Sequence, residues 1–204
     1  MREKPRTSST GGGRPVIIAN GFFPVPIPLG HIAAVYQAHG FDARIVPFAL
    51  RNKIDVHTYA QTIEQMARDA YAETGLQVDI IGLSMGGIAA LYAIKFLAAA
   101  PHIRTLIAIG SPFHGSPVAA MSTISPWFSR TARQLAPDSE LLKELRAAPR
   151  PPEVRFISLG GIFDTISPLP TTRLDEAENY FWFFGHHDLM FLGWLHWEVV
   201  KLLL

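Results

Sequence analysis

The chain has 204 residues, 49% hydrophobic and 17% charged, with a formal net charge of +1. That length suits one domain with a real core, the composition is not that of a disordered chain, and the charge gives no strong pull toward nucleic acid or acidic membranes. There is no cysteine, which excludes disulfides, thiol nucleophiles and cysteine metal sites.

In chain order, residues 1–14 read as a polar, disordered tail. Positive charge is present, but no apolar stretch follows before Pro15, so the tail does not read as a secretory signal and a cytoplasmic protein is expected. A trimmed secreted form would read the same. Residues 15–20 form an apolar run ending in Asn-Gly, expected as a buried strand and turn. A proline-rich loop spans 22–28, and 29–39 reads as a helix closed by Gly40. Residues 41–48 read as a strand. Residues 57–74 carry Ile63, Met66, Ala67, Ala70 and Tyr71 at helical spacing and stop at Gly75. A strand is expected over 78–83, a helix over 86–100 stopped by Pro101, and a strand over 105–109.

Residues 116–152 differ in character and read as a cap-like insertion that holds a helix over 139–147. Strands are expected again over 154–159 and 179–184, and a last apolar helix over 187–204. No apolar run reaches the ~20 residues that span a bilayer. The closest, 189–204, is interrupted by His196, Glu198 and Lys201. The alternation implies one α/β domain over 15–204, a mostly parallel sheet of about six strands with helices on both faces. No internal repeat is visible.

The stretch that carries chemistry is Gly82-Leu-Ser84-Met-Gly86, set between a buried strand and a small-residue helix. Glycines two positions either side of a serine relieve the crowding of a tight strand-to-helix turn. The hydroxyl is then held at the strand's carboxyl end beside a helix N-terminus, whose unpaired N–H groups favour developing negative charge. Gly-x-Ser-x-Gly in this setting is the nucleophile elbow of the α/β-hydrolase fold. Gly87, Ala89 and Ala90 would let the helix pack close to the sheet.

Other segments extend the likeness. Residues 15–22 match a first strand and oxyanion loop, with Asn20 where His is usual. Gly110-Ser-Pro-Phe-His-Gly-Ser-Pro117 resembles the segment after the next strand, with Phe113 in a usual His place and His114 following it. Residues 134–145 resemble a Leu-x-Pro-x-Ser-x-Leu segment, and Gly185-His-His-Asp-Leu189 resembles the loop of the catalytic histidine. The chain thus resembles small bacterial lipases and esterases of the α/β-hydrolase superfamily, over most of its length after residue 14.

The resemblance implies the order serine, acid, histidine. Asp164, in the loop after the strand at 154–159, fits the acid, against Asp138, Asp175 and Glu176 as competitors. Motif alignment selects His186 as general base, with His187 the alternative. The oxyanion hole would use the backbone N–H groups of Met85 and Phe22. Phe23, Val25, Phe113, Met121 and Trp127 are the candidates for the substrate pocket. Met121, Ile124, Trp127 and Phe128 form a small lid or only cover the sheet. His-His-Asp at 186–188 lacks further ligands at metal spacing, so no metal and no cofactor are expected.

The implied activity is hydrolysis of carboxylic esters with an apolar acyl group. The alternatives are thioester or amide cleavage, acyl transfer, or a non-catalytic binding module. The expected partner is an apolar ester or lipid, not nucleic acid. A weak contact of the last helix with a lipid interface is the secondary expectation, and the oligomeric state is left open.

Overall fold

A computed structural model describes residues 13–22, 29–47, 55–122 and 130–204. Six strands are described: β1 (Pro15–Ala19), β2 (Asp42–Ile45), β3 (Val78–Leu83), β4 (Ile103–Ile109), β5 (Arg155–Gly161) and β6 (Glu178–Trp182). They form one sheet in the order β2-β1-β3-β4-β5-β6, with every pair parallel. Nine α-helices are described: α1 (Gly30–Ala38), α2 (Val56–Thr74), α3 (Met85–Phe96), α4 (Pro117–Ser122), α5 (Arg130–Gln134), α6 (Glu140–Ala147), α7 (Leu169–Thr172), α8 (Asp188–Phe191) and α9 (Gly193–Leu203). The expected fold class is the one the chain adopts.

Successive side chains of a strand point to opposite faces, and both faces here are apolar. Ile17, Ile80, Leu106 and Phe156 pack on one side with α2, α3 and α6. Val16, Ile81, Ile107 and Ile157 pack on the other with α1 and α9. A sheet covered on both faces explains why the central strands read as unbroken apolar runs. Within residues 116–152, α6 belongs to the first core through Leu141, Leu142 and Leu145.

Two helix ends differ from expectation. The helix after the elbow stops at Phe96, because Ala98 adopts φ 57 and the N–H groups of Leu97 and Ala99 both turn back to the Ala93 carbonyl. The last helix is two helices, broken at Leu192 with ψ 95. Buried His196 spans the break. Its Nε2–H donates to the Leu189 carbonyl at 2.9 Å, and its Nδ1 accepts from the Tyr36 hydroxyl at 3.0 Å. The side chain satisfies a carbonyl that a continuous helix would have bonded to backbone.

The sheet order brings the carboxyl ends of β1, β3, β4 and β5 side by side. In parallel sheets the loops at that end carry the working residues. Among the described residues, no helix is long and apolar enough to cross a membrane.

Candidate active site

Ser84 closes β3 and caps α3 with φ 51 and ψ −118. A non-glycine residue there costs about 1–3 kcal/mol, and such strain persists only where the surroundings over-determine it. Three bonds hold the serine backbone. Its N–H donates to the Ile109 carbonyl at 2.8 Å, and its carbonyl accepts from Ser111 Oγ at 2.7 Å and Gly87 N–H at 3.1 Å.

The flanking glycines are required by space. A Cβ on Gly82 would stand 2.5 Å from Gly87 Cα, and one on Gly86 would stand 2.2 Å from the Ala19 carbonyl oxygen. On Gly87 it would meet Ser111 Oγ at 2.2 Å. Helix α3 therefore approaches the ends of β1 and β4 as closely as backbone allows.

Asp164 and His186 meet although they lie 22 residues apart. The pairing of β5 with β6 sets the loops after each side by side. His186 Nδ1 lies 2.8 Å from Asp164 Oδ2, and both side chains are buried. Asp164 Oδ1 accepts the N–H groups of Ile166 at 2.9 Å and Ser167 at 2.7 Å, which fixes the carboxylate plane. Gly110, at φ +59, makes room for this pair, since a Cβ there would come 3.2 Å from Asp164 Oδ2. Neighbouring His187 is exposed, and Asp188 Oδ2 accepts from Gly185 N–H at 2.8 Å, closing the histidine loop.

Ser84 and His186 line one cavity of about 240 Å³, together with Phe22, Ser116 and His187. Its apolar wall is Val118, Ala119, Ala132, Leu135 and Ile166. No lysine, arginine or carboxylate lines it among the described residues. Ser116 ties the wall to the acid loop, its Oγ donating to the Ile166 carbonyl at 2.6 Å.

The loop after β1 is also held. Asn20 N–H donates to the Tyr59 hydroxyl at 2.8 Å, and Asn20 Oδ1 accepts from Gly21 N–H at 2.8 Å. Burial raises the Tyr59 pKa well above its ordinary value, so the phenol stays neutral. Gly21 faces Ser84 directly; a Cβ on it would sit 3.0 Å from Ser84 Cβ.

The structure thus brings Ser84, His186 and Phe22 to one cavity, Asp164 onto His186, and Met85 to the first turn of α3. Two pocket candidates lie elsewhere. Phe113 is buried in the first core, because the turn after Gly110 folds its ring inward and Arg146 Nη1 holds its carbonyl at 2.7 Å. Met121, on α4, is three-quarters exposed and does not line the cavity. Phe23, Val25 and Trp127, with Ile124 and Phe128 of the expected lid, lie outside the described residues.

The sequence did not point to Tyr59 or to the α5 wall. Gly110 and Ser111 stand inside a quoted motif and were legible there. Tyr59 and Ala132 carry no local signal, since only tertiary packing brings them to the site. No group of three or more His, Asp or Glu among the described residues is placed to hold a metal.

Residues 36–181 match the family described as PGAP1-like alpha/beta domain. Among solved structures, the chain is similar to the mature form of Bacillus licheniformis lipase BlEst2. The two are 17% identical with a TM-score of 0.76, over 98% of this chain and 95% of that one. It is also similar to Aspergillus fumigatus lipase B, at 19% identity and a TM-score of 0.71, over 93% of this chain and 53% of that one. Phospholipase PlaB from Legionella pneumophila is 16% identical with a TM-score of 0.65, over 80% and 45% of the two chains. No curated protein matches the sequence. The fold is that of the α/β hydrolases.

Proposed function

We propose that this chain, which belongs to the PGAP1-like alpha/beta domain family, is a serine hydrolase that cleaves carboxylic esters with an apolar acyl group. The observation that carries the reading is Ser84, held at φ 51 in a cavity it shares with His186, whose Nδ1 is committed to Asp164. A serine is a weak nucleophile without a base, and a base works best when a third group fixes its tautomer. With Nδ1–H donating to Asp164, the Nε2 lone pair of His186 is free for the serine proton.

In the proposed reaction, Ser84 Oγ bonds to the ester carbonyl carbon as His186 Nε2 takes its proton. The tetrahedral oxyanion lies at the N-terminus of α3. Met85 N–H is an early donor of that helix with no intrahelical acceptor. Phe22 supplies the second donor, since Gly21 N–H is already spent on Asn20. Each such donor contributes about 3–4 kcal/mol of transition-state stabilisation. The carbon–oxygen bond to the alcohol then breaks, and His186 returns the proton to the departing oxygen. Water repeats the sequence on the acyl-enzyme and releases the acid.

The cavity supports the substrate class. Aliphatic walls without a charged group suit an uncharged acyl chain, which apolar burial would hold. The names of the structural neighbours, lipase and phospholipase, support ester chemistry on a lipid-like substrate.

The test is hydrolysis of p-nitrophenyl esters of increasing acyl length by wild type and by Ser84→Ala, His186→Ala and His187→Ala. Turnover that is lost in the first two variants and kept in the third is expected. Turnover that survives Ser84→Ala overturns the reading.

A further inference from the structure

Ser111 is fully buried, and the proposed reaction gives it no part. Its Oγ donates to the Ser84 carbonyl at 2.7 Å, with Gly87 N–H at 3.1 Å as the second donor. The Ser84 carbonyl belongs to the same peptide unit as the Met85 N–H. That unit is planar and trans, so the two groups point in opposite directions and turn together. Whatever fixes the carbonyl therefore aims the N–H. Ser84 stands at φ 51 and ψ −118, outside the regions a non-glycine residue prefers. Local backbone preference does not hold that peptide, so its orientation rests on outside partners. As the first N–H of α3, Met85 N–H has no acceptor within the helix to steady it.

The chain is built to bring Ser111 there. Strands β3 and β4 pair in register up to Leu83 and Ile109, and the Ile109 carbonyl takes the Ser84 N–H at 2.8 Å. Gly110 then turns at φ +59, and its own N–H is tied to the Leu159 carbonyl at 2.8 Å. Ser111 follows, its carbonyl accepting from Phe113 N–H at 3.0 Å. From the other side, Gly87 lets the hydroxyl in, since a Cβ there would collide with Ser111 Oγ. Glycine is unfavourable inside a helix, and this contact gives a reason for it at that position.

We infer that Ser111 is a positioning residue for the oxyanion hole: its hydroxyl locks the Ser84–Met85 peptide so that the Met85 N–H faces the oxyanion. The inference rests on the hydrolase reading, which needs that donor. A hydrogen bond to the carbonyl also polarises the peptide and strengthens its N–H as a donor. Aim and strength both act where charge develops, so the effect belongs to the transition state and not to binding of the ester.

The experiment compares wild type with Ser111→Ala, Ser111→Cys and Ser111→Thr. The first two lose the hydroxyl and the third keeps it. Ser111→Cys also fills the space, which keeps the test valid if Ser111→Ala fails to fold. Circular dichroism checks each fold. Kinetics on a p-nitrophenyl ester are read beside a fluorine NMR titration of the adduct with an alkyl trifluoromethyl ketone. In that adduct Ser84 Oγ bonds to the ketone carbon as His186 takes its proton, and the pH at which the hemiketal oxyanion protonates reads the hole directly. Removing a donor outright costs about 10²–10³-fold in kcat, so loosening one is expected to cost about 10–100-fold, with KM held. The hemiketal oxyanion should protonate at higher pH in Ser111→Ala and Ser111→Cys than in wild type, and Ser111→Thr should restore both readouts. A folded Ser111→Ala or Ser111→Cys with wild-type kcat overturns the inference and leaves the hydrolase reading standing. So does a loss of kcat with unchanged hemiketal ionisation, which a merely structural role would give, or a folded Ser111→Thr no better than Ser111→Ala. A wild type that neither turns over the ester nor forms the hemiketal overturns both.

Discussion

Asp164 spends its two oxygens in different directions: Oδ2 meets His186 Nδ1 at 2.8 Å, while Oδ1 is held by the N–H groups of Ile166 and Ser167. The carboxylate therefore cannot rotate away from the ring without breaking two backbone bonds. Its orientation is set by its own loop, and the histidine's tautomer follows from it.

This asymmetry predicts the behaviour of Asp164→Asn. The amide oxygen would keep the bonds to Ile166 and Ser167, which leaves Nδ2 facing His186. The ring must then present a lone pair at Nδ1 and carry its proton on Nε2, where it cannot accept from Ser84. The variant should stay folded and lose about 10³–10⁴-fold in kcat with little change in KM. Steady-state kinetics on a p-nitrophenyl ester, with circular dichroism as the fold check, would read both.

The Tyr59 hydroxyl holds the loop after β1 from α2, which packs against β1 in the first core. Tyr59→Phe removes the acceptor for the buried Asn20 N–H. An unsatisfied buried donor costs about 1–3 kcal/mol. Urea unfolding should show a loss of that size. Because the loop carries Phe22, kcat should also fall several-fold while KM is held.

Gly86→Ala tests the packing of the elbow. The added Cβ would stand 2.2 Å from the Ala19 carbonyl oxygen and 2.7 Å from that of Asn20. Both obstacles are backbone and cannot swing aside. Overpacking of this kind costs about 3 kcal/mol, measurable as a lower urea midpoint. An exposed helical site such as Lys143→Ala would serve as the reference.

His196 predicts a pH dependence of stability. Burial lowers its pKa from 6.5 to about 4, with a smaller contribution from His31. The folded ring is neutral at pH 7, and the unfolded ring titrates near 6.5. Between these values the unfolded chain binds the proton and the folded chain does not, so stability falls as pH drops from 6.5 toward 4. The full effect is about 3 kcal/mol. His196→Gln should remove this contribution, so the stability difference between variant and wild type should narrow on acidification across that window.

The elements with strong punctuation were legible in the sequence. Strand β3 and its glycine-flanked turn fall where the apolar run and the glycines put them, because sterics at Gly82 and Gly86 leave no other residue type. The meeting of Asp164 with His186 was reachable by motif order, since adjacent parallel strands carry their loops side by side. Other features were not legible. The end of α3 at Phe96 depends on Ala98 at φ 57, a position with no glycine to announce it. The break at Leu192 sits inside an apolar run and rests on a hydrogen bond from His196. Phe113 was misplaced because a motif gives a side chain's position in the chain but not the direction it takes after a turn. The α5 wall of the cavity comes from tertiary packing alone.

The most direct test of the central claim is the intact mass of the protein after reaction with a fluorophosphonate, followed by peptide mapping. Ser84 Oγ would displace fluoride at phosphorus, with His186 as base. The account predicts one adduct per chain, on Ser84, absent from Ser84→Ala and much slower in His186→Ala. A folded wild type that takes no label, or a label that persists in Ser84→Ala, would contradict it.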